Sequence, residues 1–160
     1  MCAKNCAHSD QAKQPAWPFN LALCLQGKTL PYQMNEQQFE AVLALDSFDR
    51  YSHFIGKVAD WEQLWGVKSE EGWLVPVAPE EFEYFPLWPH PEYAQKITDE
   101  NFPGHKAVEI SLEELLEHWL PLFEKDKVKV AVFPNKEWTF WCIEPNDLKE
   151  ELLNEMAKYE

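Results

Sequence analysis

Glycine and arginine are the scarce residues of this chain: its 160 residues include five Gly and a single Arg, Arg50. Five glycines leave little material for a phosphate cradle, and none of the patterns G-x-x-x-x-G-K, G-x-G-x-x-G, G-x-S-x-G or H-E-x-x-H occurs. No cofactor is expected. No apolar run approaches the ~20 residues needed to cross a bilayer, which excludes a spanning helix. The lone arginine, set against 28 acidic and 14 basic residues, argues against binding to nucleic acid or an anionic membrane, since both need clustered Lys and Arg. All of the negative net charge belongs to residues 34–160, which carry −16 of it against +2 on residues 1–33, where one acid, Asp10, meets three lysines. Such a surface keeps a cytoplasmic protein soluble, and its sharper reading is a basic protein partner.

Cysteine is also sparse. Cys2, Cys6 and Cys24 lie in the first 24 residues and Cys142 stands alone, which is no disulfide framework. Cys2, Cys6, His8 and Cys24 form an incomplete zinc pattern on a glycine-poor segment without knuckle turns, so no metal is expected. Leu21 to Cys24 resembles the end of a lipoprotein signal but lacks both a long apolar stretch before it and a small residue at position 23. Residues 1–33 are thus read as a poorly organised extension, punctuated by Pro15, Pro18 and Pro31, and residues 34–160 as one α+β domain.

What is abundant is aromatic: ten Phe, eight Trp and five Tyr, ample apolar surface for one core. Asn35 with Gln38 reads as a capping box before Phe39, Val42, Leu43 and Leu45 at helical spacing. Asp46 caps a second stripe of Phe48, Tyr51, Phe54, Ile55 and Val58, giving an N-terminal helical hairpin. Short β segments at 64–67, 72–77 and 82–88 read as an antiparallel meander. Residue 90 caps a helix opened by Pro91 and running to about Ile97. A strand at 107–110, a capped helix from Leu112 that Pro121 ends or kinks, a hairpin of 128–133 with 138–143, and a helix capped by Asn146 or Asp147 complete the order. Cys142 alternates into that hairpin as a small buried hydrophobe. Bunched strands and segregated helices predict an α+β fold, with a mainly antiparallel sheet and helices packed on it.

The residues then carry a likeness. Gln38 to Leu43, Arg50 to Asp60, the Trp65 strand, Phe85 to Ala94, Trp119-Leu120-Pro121 and Val130 to Pro134 resemble the bacterial family called domain of unknown function 2750, from Met34 to about Leu153. The likeness implies no activity, so it assigns no catalytic residue. It adds to the expectation that the domain begins at Met34.

The candidate binding residues lie on the second helix and around the proline-rich turn: Arg50, His53 and Lys57, then Trp61 and Trp65, then Trp88, His90, Glu92 and Tyr93. Trp, Tyr and Arg supply the mix found at binding hot spots, and a groove between helix and turn could hold a peptide or small ligand. The competing structural reading makes Trp88 a core plug and His90 a helix cap. Two functions stay open. One is a noncatalytic inhibitor or immunity-like protein; the other is a small cofactor-independent enzyme using His90 or His53 as an acid or base.

Overall fold

The computed structural model describes residues 2–5, 12–13 and 31–159. The readings of Cys6, His8 and Cys24, and most of the expected 1–33 extension, lie outside them. Of that extension, the backbones of β1 (Cys2–Asn5) and β2 (Ala12–Lys13) are described.

Helices α1, α2 and α3 begin where a side chain satisfies a free amide. Helix α1 (Glu36–Leu43) carries the full capping box, with Asn35 Oδ1 accepting from Gln38 N at 2.8 Å and Gln38 Oε1 from Asn35 N at 3.1 Å. Three residues later, α2 (Ser47–Trp61) starts at Asp46, which accepts from Asp49 N. Helix α3 (Pro91–Asn101) starts at His90 and runs past the expected Ile97. The last helix, α6 (Pro145–Met156), begins at Glu144 rather than Asn146 or Asp147, because Pro145 occupies the first position, where its missing N–H costs nothing.

Pro121 does not stop its helix. The turn from α4 (Leu112–Glu114) widens into a π turn at Leu115–Trp119, closed by Leu120 N donating to Leu115 O, and then continues as α5 (Leu120–Asp126). A proline ring clashes with the carbonyl four residues back in a regular helix, and the wider turn gives that carbonyl room.

The strands are β3 (Gln63–Ser69), β4 (Gly72–Trp73), β5 (Val75–Pro76), β6 (Glu83–Leu87), β7 (Lys106–Ser111), β8 (Val128–Val132) and β9 (Thr139–Ile143). One sheet has the order β1-β9-β8-β6, a second β4-β3-β7, and β2 pairs with β5. All described pairs are antiparallel except β6 with β8. The expected meander therefore ends after β4: β6 crosses to the other sheet and runs parallel to β8, Phe85 opposite Val130. It forms the edge there, a place where Pro86 is tolerated in a ladder. Trp65 and Trp88 exchange backbone hydrogen bonds of 2.8 and 2.9 Å, joining the two sheets. At Gly66 a Cβ would lie 3.0 Å from the Trp73 ring and 3.1 Å from Phe85, so glycine lets these rings close over the strand.

The core between sheets and helices is aromatic. Trp73, Phe85, Trp119 and Phe123 meet ring to ring at 4.9–5.8 Å. Trp138 donates to Tyr84 Oη at 2.8 Å, and Cys142 is buried on β9. Trp88 is wholly buried, and its Nε1 donates to the Pro134 carbonyl at 3.0 Å. Trp88→Ala should accordingly cost about 3–5 kcal/mol, whereas Trp88→Phe should cost about 1–3 kcal/mol, mainly for the abandoned carbonyl. Urea midpoints of the two variants check this; an unmoved midpoint for Trp88→Ala would show that the indole is dispensable to the core.

Candidate functional site

The candidate residues divide into those that build the frame and those that line a pocket. Arg50 belongs to the frame. Its guanidinium is 1% exposed and donates from Nε to Phe133 O at 3.0 Å, from Nη2 to Thr139 O and Oγ1 at 2.9 and 3.1 Å, and from Nη1 to Leu45 O. Burial lowers its pKa, while Asp46 and Glu137 favour the charged form. Trp88 and Trp65 are frame residues as well, both buried, with the Trp65 ring 6.2 Å from that of His90.

His90 is a buried cap. Its Nδ1 accepts from Glu92 N at 3.2 Å, so Nε2 carries the proton and donates to Tyr32 O at 2.8 Å. Burial depresses its pKa, partly offset by the Tyr32 hydrogen bond and Glu92. Glu92 itself is exposed in the first turn of α3. Trp61, the last residue of α2, is 42% exposed and lies 5.6 Å from the ring of Tyr32.

His53, Lys57 and Tyr93 come together. They line a pocket of about 210 Å³ with Tyr32 and Gln33 from the segment before α1, and Gln38 and Val42 from α1 itself. Tyr93 is fully buried, stacked on Phe39 at 4.8 Å and tilted against Phe133 at 4.6 Å. The Lys57 ammonium sits 4.6 Å over the Tyr32 ring. Burial and the neighbouring hydroxyl of Tyr93 raise the pKa of Tyr32; burial and Glu92 raise that of Tyr93. Tyr32 was not among the expected site residues. It lies beside Pro31 with no periodic neighbours, and its His90 contact spans 58 residues.

A second recess also went unanticipated. Between α2 and α6, floored by β9, a cleft of about 400 Å³ has Phe48, Tyr51 and Trp141 as its aromatic wall and Asp147, Glu150, Glu151 and Glu155 along its rim. The rings contact one another at 5.0–6.1 Å, and Phe48 is 51% exposed. Glu155 pairs with Lys158 at 2.7 Å; among the described residues the other three carboxylates form no ion pair. The spacing of positions 147, 150 and 151 on one helical face was the available signal. No described group of His, Cys, Asp and Glu is arranged to hold a metal, and no described helix is long and apolar enough to cross a membrane.

Burial, with Lys57 nearby, lowers the pKa of His53 from the usual 6.5 to about 4. Between those values the unfolded chain binds the proton that the native chain refuses, so stability falls as pH drops through this window. His90 acts in the same direction. His53→Gln should therefore lose a smaller share of its stability than the parent between about pH 7 and about pH 4.5, read from urea midpoints. Equal losses in both proteins would show that His53 titrates like a solvent-exposed histidine.

Residues 51–152, from α2 into α6, match the family model described as a protein of unknown function, DUF2750. This range contains every candidate residue except Arg50, and it also omits Tyr32. No curated protein and no solved structure gives a match. With the match covering well over half of its length, the chain belongs to the DUF2750 family.

Proposed function

We propose that this protein is a noncatalytic binding module of the inhibitor or immunity-like kind, acting in the cytoplasm, whose partner presents an arginine-bearing basic segment to the cleft between α2 and α6. The observation that carries this reading is the pairing of an open aromatic wall with carboxylates that form no ion pair among the described residues: Phe48 and Trp141 beside Asp147, Glu150 and Glu151. A guanidinium can stack on an indole face while its edge donates to a carboxylate, and a cation–π contact of this type contributes about 0.5–2 kcal/mol. The net charge of −14 would steer such a partner and make association sensitive to salt.

The histidine chemistry favours this reading over an enzyme. Both ring nitrogens of His90 are engaged by backbone, and His53 is depressed to about 4, below the range of a base working near neutrality.

The test uses a hexa-arginine peptide as probe, with a hexa-glutamate peptide as control, followed by calorimetry at two salt concentrations. The arginine peptide should bind, more weakly at high salt. Phe48→Ala and the double change Glu150→Gln with Glu151→Gln should each weaken binding by about tenfold, or 1.4 kcal/mol, with unfolding midpoints unchanged. Binding that ignores both changes would be diffuse attraction to an acidic surface, and the cleft would not be the site.

A further inference from the structure

The pocket between α1, α2 and α3 has chemistry of the opposite sign to the rest of the molecule. In a chain with twice as many acids as bases, no described carboxylate lines it, and its one charged lining group is Lys57, which has no described ion-pair partner. Three polar atoms around it are buried without a hydrogen-bond partner among the described residues: Tyr32 Oη, Tyr93 Oη and His53 Nε2. Buried polar groups are nearly always satisfied, so three orphans on one recess mark a place where something else supplies the partner. Tyr93 is the sharpest case, because its side chain is fully buried, stacked on Phe39 and tilted against Phe133. Neither hydroxyl has ionised, burial having raised both pKa values, so each can donate.

These groups define their ligand. Two phenols and an ammonium are donors on side chains that line one recess, and a carboxylate is acceptor-only, with about four lone-pair sites to fill. One unpaired ammonium balances a single negative charge; a doubly charged phosphate would leave its second charge desolvated, and a cation would be repelled. Met34, Ala41 and Val42 add an apolar patch to the wall beside Gln33, Gln38 and His53. The volume of about 210 Å³ is many times what one water needs and gives room for a small organic acid. We infer that this pocket binds a small organic monocarboxylate, its charged end held by Lys57, Tyr32 and Tyr93 and its apolar body by Met34, Ala41 and Val42.

The probes are sodium butyrate and sodium benzoate, compared at constant ionic strength with butyramide and butylamine, by thermal midpoint and calorimetry. At least one acid should raise the midpoint in a saturable way, while the amide and the amine should not. Lys57→Met and Tyr93→Phe should each weaken that acid by about tenfold, the scale of one charge-assisted hydrogen bond. Tyr93→Phe should leave the ligand-free midpoint level or higher, since it removes an unsatisfied hydroxyl. Should that variant not fold, Tyr32→Phe takes its place. The Glu150→Gln, Glu151→Gln protein should bind the acid normally, which separates this site from the acidic cleft. Absence of saturable stabilisation by both acids, an equal response to the amide, or binding indifferent to Lys57 would each overturn the inference and leave a water-filled pocket.

Discussion

One buried guanidinium fixes the position of α2, and both recesses depend on it. Arg50 ties the turn at Leu45 to the end of β8 at Phe133 and the start of β9 at Thr139. Carbonyls from three separate segments thereby share one rigid, planar donor. A lysine could not replace it, since a single ammonium on a flexible stem cannot span carbonyls from three segments. Taking the charge out of water is costly, and the expense is met by hydrogen bonds to every face of the fork and by the nearby Asp46 and Glu137. With the first turn of α2 pinned, the helix can present its later residues at fixed heights.

That geometry explains how one helix serves two recesses of opposite character. Positions 48, 51, 52 and 55 form one stripe at helical spacing, facing β9 and α6, and positions 53 and 57 form the adjoining stripe, facing α1 and α3. Four of the chain's 28 acids, Asp147, Glu150, Glu151 and Glu155, line the α6 side of the first stripe. The second stripe carries Lys57 and is closed by tyrosines. Net charge alone therefore misdescribes the surface: the field that would attract a basic partner at the cleft coexists with a small recess whose described lining holds no carboxylate side chain.

The parts of this arrangement that were legible in the sequence are the local ones. Asn35 with Gln38, Asp46, His90 before Pro91, and Ser111 act through amides two or three residues away, so spacing alone reveals them. The α+β class followed from the same short-range patterns. Crossing β6 to lie parallel to β8 was not legible, because alternation in Phe82 to Trp88 fits a meander equally well and the partner strand is over 40 residues away. Pro121, expected to end or kink its helix, does not end it, because the π turn at Leu115–Trp119 avoids the break, and no local pattern reveals that turn. Among the candidate residues, type indicated importance but not role. Arg50 and Trp88 hold the fold, while His53, Lys57 and Tyr93 face a pocket that needed Tyr32, a residue with no pattern around it.

The same frame sets a limit on communication between the two recesses. They share a helix, but its N-terminus is clamped by Arg50 and its C-terminus is closed by Glu62 in a left-handed turn whose carbonyl accepts from Leu112 N at 3.0 Å. Coupling requires an element with two arrangements of similar energy, each favoured by a different ligand. A helix held at both ends, with Phe54 and Val58 fully buried between, is not such an element. The segment before α1 differs in kind: Tyr32 is held through its carbonyl to His90 and through ring contacts with Trp61 and Lys57, while its hydroxyl stays unpaired. A ligand that engaged this hydroxyl would tighten the segment onto α2 and α3 while leaving the cleft on the other stripe unchanged.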